Sequence, residues 1–240
     1  MNLQRNPPEQ RLRLFQTHPH ECGYLPGRTA STLVADPEYR KSPQVLGALT
    51  ELGFRRSGAM IYRPHCSECS ACVPVRVPVQ AFSPRRSQRR VWRTNSDLEV
   101  RVRDDGFEAE HFELYRSYID SRHGDGTMAD PTPVDFRTFL TAPWSETIFI
   151  EFRSRGELIA VAVSDVLPDA WSAVYAFFTP DQTRRSLGVY CVLWQINALR
   201  RARRKWLYLG YWIEQCRKMS YKSEYRPQQH FGPHGWTEER

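Results

Sequence analysis

No apolar run in this sequence approaches the ~20 residues that cross a bilayer. The opening residues, Met1-Asn2-Leu3-Gln4-Arg5-Asn6-Pro7-Pro8, lack the apolar centre of a secretory signal. Membrane insertion and export are therefore not expected, and the expected compartment is the cytoplasm, where thiols stay reduced. No internal repeat or low-complexity tract is present, and no serine or cysteine sits in a nucleophile motif. Acidic residues are in the minority: 27 Asp and Glu against 34 Lys and Arg leave a net charge of +7. Such a surplus suits a polyanionic partner, nucleic acid before membrane surface.

What is present points to a folded protein. The 240 residues are 40% hydrophobic, enough for one sizeable core or two small ones, and 12% aromatic, well above a disordered chain. Ser42 to Phe54 reads as a helix capped by Ser42, with Pro43 in its first turn, Val45, Leu46, Leu49 and Leu52 as its stripe, and Gly53 as its stop. Ala59 to Tyr62 looks like a strand. Val73, Val75, Val77 and Val79 alternate with Pro74, Arg76, Pro78 and Gln80, and the prolines place that strand at a sheet edge. Ser83 to Thr94 reads as a linker or helix start between two domains, 1–94 and 95–240.

The second half alternates signals. Leu98–Val102 is strand-like, while Phe107–Arg122 and Asp135–Leu140 are helical. Three strand-like runs follow, Thr147–Phe152, Glu157–Val166 and Trp171–Phe178. A helix over Gly188–Lys205 and a strand over Trp206–Tyr211 close the series. This order is similar to the acetyltransferase-like fold of the GNAT superfamily. The expected class is α+β: a small cysteine-containing N-terminal domain and a GNAT-like C-terminal domain with a mainly antiparallel sheet.

Three constellations stand out. Cys66-Ser67-Glu68-Cys69-Ser70-Ala71-Cys72, with Cys22 upstream, has two-residue gaps that let thiolates converge on one ion. Zinc or an iron–sulfur cluster on Cys22, Cys66, Cys69 and Cys72 is one reading, and buried unliganded thiols the other. Cys191 and Cys216 read as structural. Arg85, Arg86, Arg89, Arg90 and Arg93 crowd around Trp92, a pattern that grips phosphates and stacks a base. The Arg200–Lys205 run reads instead as a solvated helix end. Finally, 208–227 interleaves rings and cations without a period, as in a binding cleft or a surface wrap.

Cys22-Gly23-Tyr24-Leu25-Pro26-Gly27-Arg28 and Tyr62-Arg63-Pro64-His65-Cys66-x-x-Cys69-x-x-Cys72-Val73-Pro74-x-Arg76 resemble the N-terminal domain of the arginyl/leucyl-tRNA–protein transferase family. Tyr118-x-x-x-Arg122-His123-Gly124-x-Gly126-x-Met128, Tyr208-Leu209-Gly210-Tyr211-Trp212-Ile213 and Lys218-Met219-x-Tyr221-Lys222 resemble its C-terminal domain. The motifs keep their order over nearly the whole chain, in the manner of the short, leucyl-transferring bacterial branch. The resemblance implies leucyl-tRNA as donor, proteins beginning with Asp or Glu as acceptors, a GNAT-like catalytic domain, and a role in N-end rule degradation. Leu25 stands where eukaryotic members carry a second cysteine, so a metal does not carry over from them.

Aminolysis of an ester already activated by tRNA needs no cofactor and no covalent intermediate, only positioning and stabilisation of the oxyanion. The candidate catalytic residues are His123, Tyr211, Lys218 and Tyr221. Arg76, Lys218 and Lys222 are candidates for the acidic N-terminus, Tyr211 or Trp212 for the wall of the leucyl pocket, and Arg85, Arg86, Arg89, Arg90, Trp92 and Arg93 for tRNA. Two rivals stand beside this reading. One is an acetyl-CoA N-acetyltransferase, of whose pyrophosphate loop Arg185-Ser186-Leu187-Gly188-Val189-Tyr190 keeps half. The other is a non-enzymatic, zinc-stabilised RNA-binding module.

Overall fold

A computed structural model describes residues 11–104, 108–123 and 129–239, with the His123 side chain left aside. The expectations for 1–8, for Phe107, for the His123 side chain and for Gly124–Met128 fall outside the described residues. The first part of the chain forms β1 (Leu14–Gln16), β2 (His20–Glu21), β3 (Thr29–Ala30), β4 (Thr32–Ala35), α1 (Pro43–Glu51), β5 (Arg55–Ser57), β6 (Met60–Pro64), β7 (Val73–Pro78) and α2 (Arg86–Thr94). Next come β8 (Glu99–Arg103), α3 (Ala109–His123), α4 (Pro133–Leu140), β9 (Thr147–Ser154), β10 (Glu157–Leu167), β11 (Ala170–Phe178), α5 (Leu187–Arg201), β12 (Trp206–Trp212), β13 (Gln228–Gly232) and β14 (Gly235–Glu239). Single 3₁₀ turns lie at Thr183–Arg185 and Ser220–Glu224.

The fold is mixed α and β, dominated by an eight-stranded sheet in the order β14-β13-β7-β12-β11-β10-β9-β8. Every pairing in it is antiparallel except β11 with β12. A four-stranded sheet, β1-β4-β6-β5, packs beside it. Burial follows from the sequence pattern. In β10, Val161 and Val163 meet Tyr115 and Ile119 of α3, while Ala160 and Ala162 meet Leu187, Tyr190 and Cys191 of α5. A strand covered on both faces reads as a continuous apolar run, as Leu158-Ile159-Ala160-Val161-Ala162-Val163 does. At α1, the Ser42 hydroxyl accepts from the Val45 amide at 3.3 Å, and Gly53 leaves the helix at φ +80°. Leu52, expected in the buried stripe, is 53% exposed.

One expectation is overturned. The Val73–Val79 strand is interior, with β12 on one side and β13 on the other. Its prolines are tolerated because β13 pairs only with Val75 and Arg76. The Val79 amide donates toward β12, to Lys205 O at 3.1 Å. By alternation, even positions face β13, where Pro74 and Pro78 lie outside the two-residue ladder and deprive it of no donor. The segment 83–94 resolves into α2, started by the Gln88 Oε1 that accepts from the Arg85 amide at 2.9 Å.

The two sheets are tied by an ion pair. Arg56 of β5 meets Asp165 of β10 through Nε and Nη2, at 2.7 and 2.6 Å, with both side chains 1% exposed. The remaining Arg56 donors reach Gly58 O and Leu140 O. Such a pair fixes geometry more than it adds stability, and losing one partner is costly.

Candidate active site

Beyond Ser172 and Tyr208 the parallel pair β11/β12 stops pairing. At the same point β12 carries an irregularity in its pairing with β7, between Tyr208 and Gly210, and Gly210 takes φ +74°, a left-handed conformation that favours glycine. The wedge left between them is occupied by two cations. Arg55 of β5 donates through Nη2 to the Val174 carbonyl on the β11 side, at 3.3 Å. Lys222, from the 3₁₀ turn after β12, donates through Nζ to the Tyr211 carbonyl on the other, at 2.6 Å. Gly210 makes room for the first of these. A Cβ there would stand 2.9 Å from Arg55 Nη1.

Rings surround both cations. Arg55 lies 6.0 Å from the Tyr211 ring centroid, and Tyr24, Tyr62 and Tyr221 share its electrostatic surroundings. Tyr118 of α3 packs on Phe178 and Tyr175 of β11, at 4.9 and 6.2 Å between centroids. The Tyr175 hydroxyl is buried without a hydrogen-bond partner among the described residues, and desolvation drives its pKa well up. Lys222 is 4% exposed, and burial, reinforced by the Arg55 charge, pulls its pKa down to about 7. No carboxylate forms an ion pair with Arg55 or Lys222 among the described residues.

The expected site residues separate in space. Lys222 and Tyr221 belong to the wedge, the latter with a ring 45% exposed. Tyr211 borders it but is 1% exposed, its single hydroxyl hydrogen shared between Gly53 O and Tyr62 O, each 3.1 Å away. That hydroxyl clamps β12 to the N-terminal segment and is not free to exchange a proton with a ligand. Trp212 is half-buried beside His230, 5.4 Å between rings. Lys218 is exposed. Arg76 lies away from the wedge, 7% exposed, its guanidinium carbon 3.8 Å from the Trp206 ring and 4.3 Å from that of Trp236. Glu51, Gln229 and Tyr208 already take its hydrogen bonds, at 2.7, 2.8 and 3.2 Å, so no fork is left for a ligand.

Arg55 was not among the expected residues. Its signal is the pair Arg55-Arg56 on one short strand, whose side chains must point to opposite faces. One of them is consumed by Asp165 and the other is spare.

The cysteines gather without closing a site. Cys66 and Cys69 face each other across a single bridge, and Cys66 Sγ donates to Ser31 O at 3.7 Å. Burial pushes the Cys72 thiol up to about 12, with Cys22, Cys66, Cys69 and Cys216 adding to the rise. Among the described residues no three His, Cys, Asp or Glu side chains are placed to hold a metal ion. As arranged, these thiols do not converge on one tetrahedral ion. The loop instead carries Tyr24 to the neighbourhood of Arg55.

On α2, Arg85, Arg86, Arg89, Arg90 and Arg93 are all exposed. Arg85 pairs with Glu224, and Arg89 donates to Pro84 O at 2.5 Å. Trp92 packs its ring 5.5 Å from that of Tyr190, so it is half core. A groove of about 340 Å³ opens between α2 and α5, with Trp92, Phe82, Leu193 and Ile196 as its apolar lining and Arg89, Arg93 and Arg200 beside them. The half-motif at 185–190 is engaged internally. Arg185 grips Asp97 at 2.8 and 2.9 Å, and Tyr190 is 4% exposed.

Comparison with known proteins bears on this arrangement. The family model described as "Arginine-tRNA-protein transferase, N terminus" matches residues 20–90, and the corresponding C-terminus model matches 110–232. An aspartate/glutamate leucyltransferase of Alcanivorax borkumensis is 50% identical over 228 residues, 95% of this chain and 94% of that protein. The protein of the same name from Pseudomonas paraeruginosa is 48% identical over 227 residues, 95% and 97% of the two chains. That from Pseudomonas putida is 50% identical over 217 residues, 90% and 92%. Both halves of the family pattern lie in register along one sequence whose N-terminal strand β5 floors the wedge of the C-terminal sheet: this chain belongs to the arginine-tRNA-protein transferase family.

Proposed function

We propose that this chain transfers leucine from leucyl-tRNA to the α-amino group of proteins that begin with Asp or Glu. The observation that carries the reading is the cationic, ring-lined wedge between β11 and β12, on a chain about half identical to leucyltransferases along nearly its whole length. In the reaction the amine lone pair attacks the ester carbonyl carbon. The tetrahedral intermediate collapses as the carbon–oxygen ester bond breaks, the ribose oxygen leaves with the electron pair, and it gains one proton in exchange for the one the attacking nitrogen gives up. An α-amino group has a pKa of ~7.7–8.0, so a useful fraction is already free base near neutrality. The site's task is placement and a field that favours the oxyanion.

We assign Lys222 and Tyr221 to the wedge and the exposed arginines of α2 to the tRNA. Arg86, Arg90 and Arg93 project from one short helix beside a groove sized for a planar apolar group, a combination that suits phosphates and a stacked base. We read the C-terminal part, 95–240, as GNAT-like, on the strength of the antiparallel strands before β11, the crossover helix α5 and the parallel strand β12. The N-terminal part, 1–94, lends β7 to that sheet. No helix among the described residues is long and apolar enough to cross a membrane. Engagement of Arg185 by Asp97 speaks against acetyl-CoA as donor, since the guanidinium that would meet a pyrophosphate is taken.

The test is direct. Full-length protein is incubated with an Asp-headed peptide and leucyl-, arginyl- or phenylalanyl-tRNA in parallel, and peptide mass is read. Gain of one leucyl residue from leucyl-tRNA is expected. Gain of arginine alone would change the donor, and acetylation from acetyl-CoA with no gain from any tRNA would overturn the reading.

A further inference from the structure

Resting on the transferase reading, a second question is which group reads the acidic side chain of the incoming N-terminus. The cations first suggested by their place in the sequence do not share one situation. Arg76 is sandwiched between two indoles and held by Glu51, and Lys218 lies exposed. In the wedge, Lys222 is 4% exposed and directs Nζ at Tyr211 O and Met219 Sδ, at 2.6 and 3.3 Å.

Arg55 differs from all of these. A guanidinium has five N–H donors, and the structure gives this one a single hydrogen bond, to Val174 O at 3.3 Å. Its neighbour Arg56 shows what a satisfied guanidinium looks like in this protein, with bonds to a carboxylate and to two backbone carbonyls. Arg55 is half-buried among Tyr24, Tyr62, Tyr211 and Tyr221, and no carboxylate pairs with it among the described residues. The backbone approaches it closely: a Cβ at position 210 would stand 2.9 Å from Nη1 and displace the guanidinium from its present place. A desolvated cation without a counter-ion is an expensive feature to keep, and an arriving carboxylate recovers that cost through paired, charge-assisted hydrogen bonds.

We propose that Arg55 is the specificity-determining residue for the acceptor: its guanidinium binds the side-chain carboxylate of the N-terminal Asp or Glu and so sets the α-amino group in the wedge. The distance constraint agrees. The carboxylate of Asp or Glu is only one or two methylenes from its Cα, so the residue that reads it has to stand inside the wedge where the amine reacts. Asp and Glu differ by one methylene, and a fork on a flexible three-carbon stem accepts either. Asn and Gln keep the shape without the charge, and they leave the cation unpaired.

The experiment uses full-length protein, leucyl-tRNA and peptides that differ only in residue one: Asp, Glu, Asn or Gln. The wild type is expected to favour Asp over Asn and Glu over Gln by about 100-fold or more in kcat/KM. Arg55→Gln is expected to abolish most of that preference, bringing the Asp:Asn ratio toward one, while the affinity for leucyl-tRNA is unchanged. Arg55→Lys keeps the charge but not the fork and is expected to fall between. Circular dichroism checks that each variant is folded, and the wild-type peptide series stands without any variant. The proposal is overturned if the wild type does not discriminate Asp from Asn, or if either variant is folded and keeps the full ratio. It is equally overturned if Arg55→Gln slows Asp- and Asn-headed peptides by the same factor, which would place Arg55 at the ester instead. A wild-type protein that extends no peptide from any aminoacyl-tRNA would overturn the transferase reading itself and this proposal with it.

Discussion

Replacing Lys222 by Met gives a measurement whose size follows from the structure. The Lys222 ammonium is 4% exposed and loses its proton at about 7 instead of the ordinary 10.5, first through desolvation and then through Arg55. That difference of roughly 3 to 4 pH units corresponds to about 5 kcal/mol of stability at about 1.4 kcal/mol per unit. Between pH 7 and 10.5 the unfolded chain holds a proton that the folded chain has released. Stability therefore rises with pH across that window. Below pH 7 both states are protonated and the full penalty is in force.

Urea unfolding of wild type and Lys222→Met at pH 6, 7, 8 and 9 isolates this contribution, because the other titrating groups are common to both proteins. From pH 7 to 9 the wild type is expected to gain about 2 kcal/mol relative to the variant, and between pH 6 and 7 only about 0.4 kcal/mol. The variant also leaves Tyr211 O without its donor, an offset of about 1–3 kcal/mol that does not change with pH. A difference between the two proteins that stays level from pH 6 to 9 would refute the reasoning, since it would mean that the Lys222 amine titrates as it does in water.

Three further outcomes are expected. Gly210→Ala places a Cβ 2.9 Å from Arg55 Nη1 at φ +74°; the strain costs about 1–2 kcal/mol in urea unfolding, and transfer to Asp-headed peptides falls more than tRNA binding does, which steady-state rates and filter binding separate. Arg56→Met strands the buried Asp165 carboxylate and costs about 3–5 kcal/mol, while the double change Arg56→Met/Asp165→Leu recovers most of it; equal losses would mean the pair adds net stability. Arg86, Arg90 and Arg93 changed together to Gln weaken leucyl-tRNA binding and flatten its salt dependence by about one unit of log–log slope per lost phosphate contact, with an unchanged slope excluding α2 from the RNA surface.

The regular elements were legible because they are set locally. A cap and an apolar stripe announce α1, an apolar stripe announces α5, and strand-like runs announce β9, β10 and β11. Positions decided by distant partners were not. Nothing near Val73–Pro78 says that its β13 ladder is two residues long, so the prolines pointed to an edge. The hairpin β13/β14 was hidden inside a tail that has no period of its own, although Gly232-Pro233-His234-Gly235 is a turn signal. Lys222 and Tyr221 were named because their segment matches a family motif, and the structure puts both at the wedge. Arg76 was drawn from the same kind of match, and the structure stacks it between two indoles. Arg55 carries no local mark that separates it from Arg56. Only the splay of strands far along the chain tells which of the two is left with donors to spare.

That splay also explains why the N-terminal segment cannot be a detachable accessory. A parallel pair that stops pairing exposes carbonyls on both strands, and buried carbonyls need donors. Here one donor comes from the chain downstream, Lys222 to Tyr211 O, and the other from upstream, Arg55 to Val174 O. The upstream donor is held by three independent ties: the Arg56–Asp165 pair, the Tyr211 hydroxyl on Gly53 O and Tyr62 O, and β7 laid between β12 and β13. Remove the first part of the chain and the wedge loses its floor, one of its two cations and the rings of Tyr24 and Tyr62. The eight-stranded sheet would keep most of its strands yet lose the Arg55 charge at the wedge, so in this chain the first 94 residues complete the wedge rather than sit beside it.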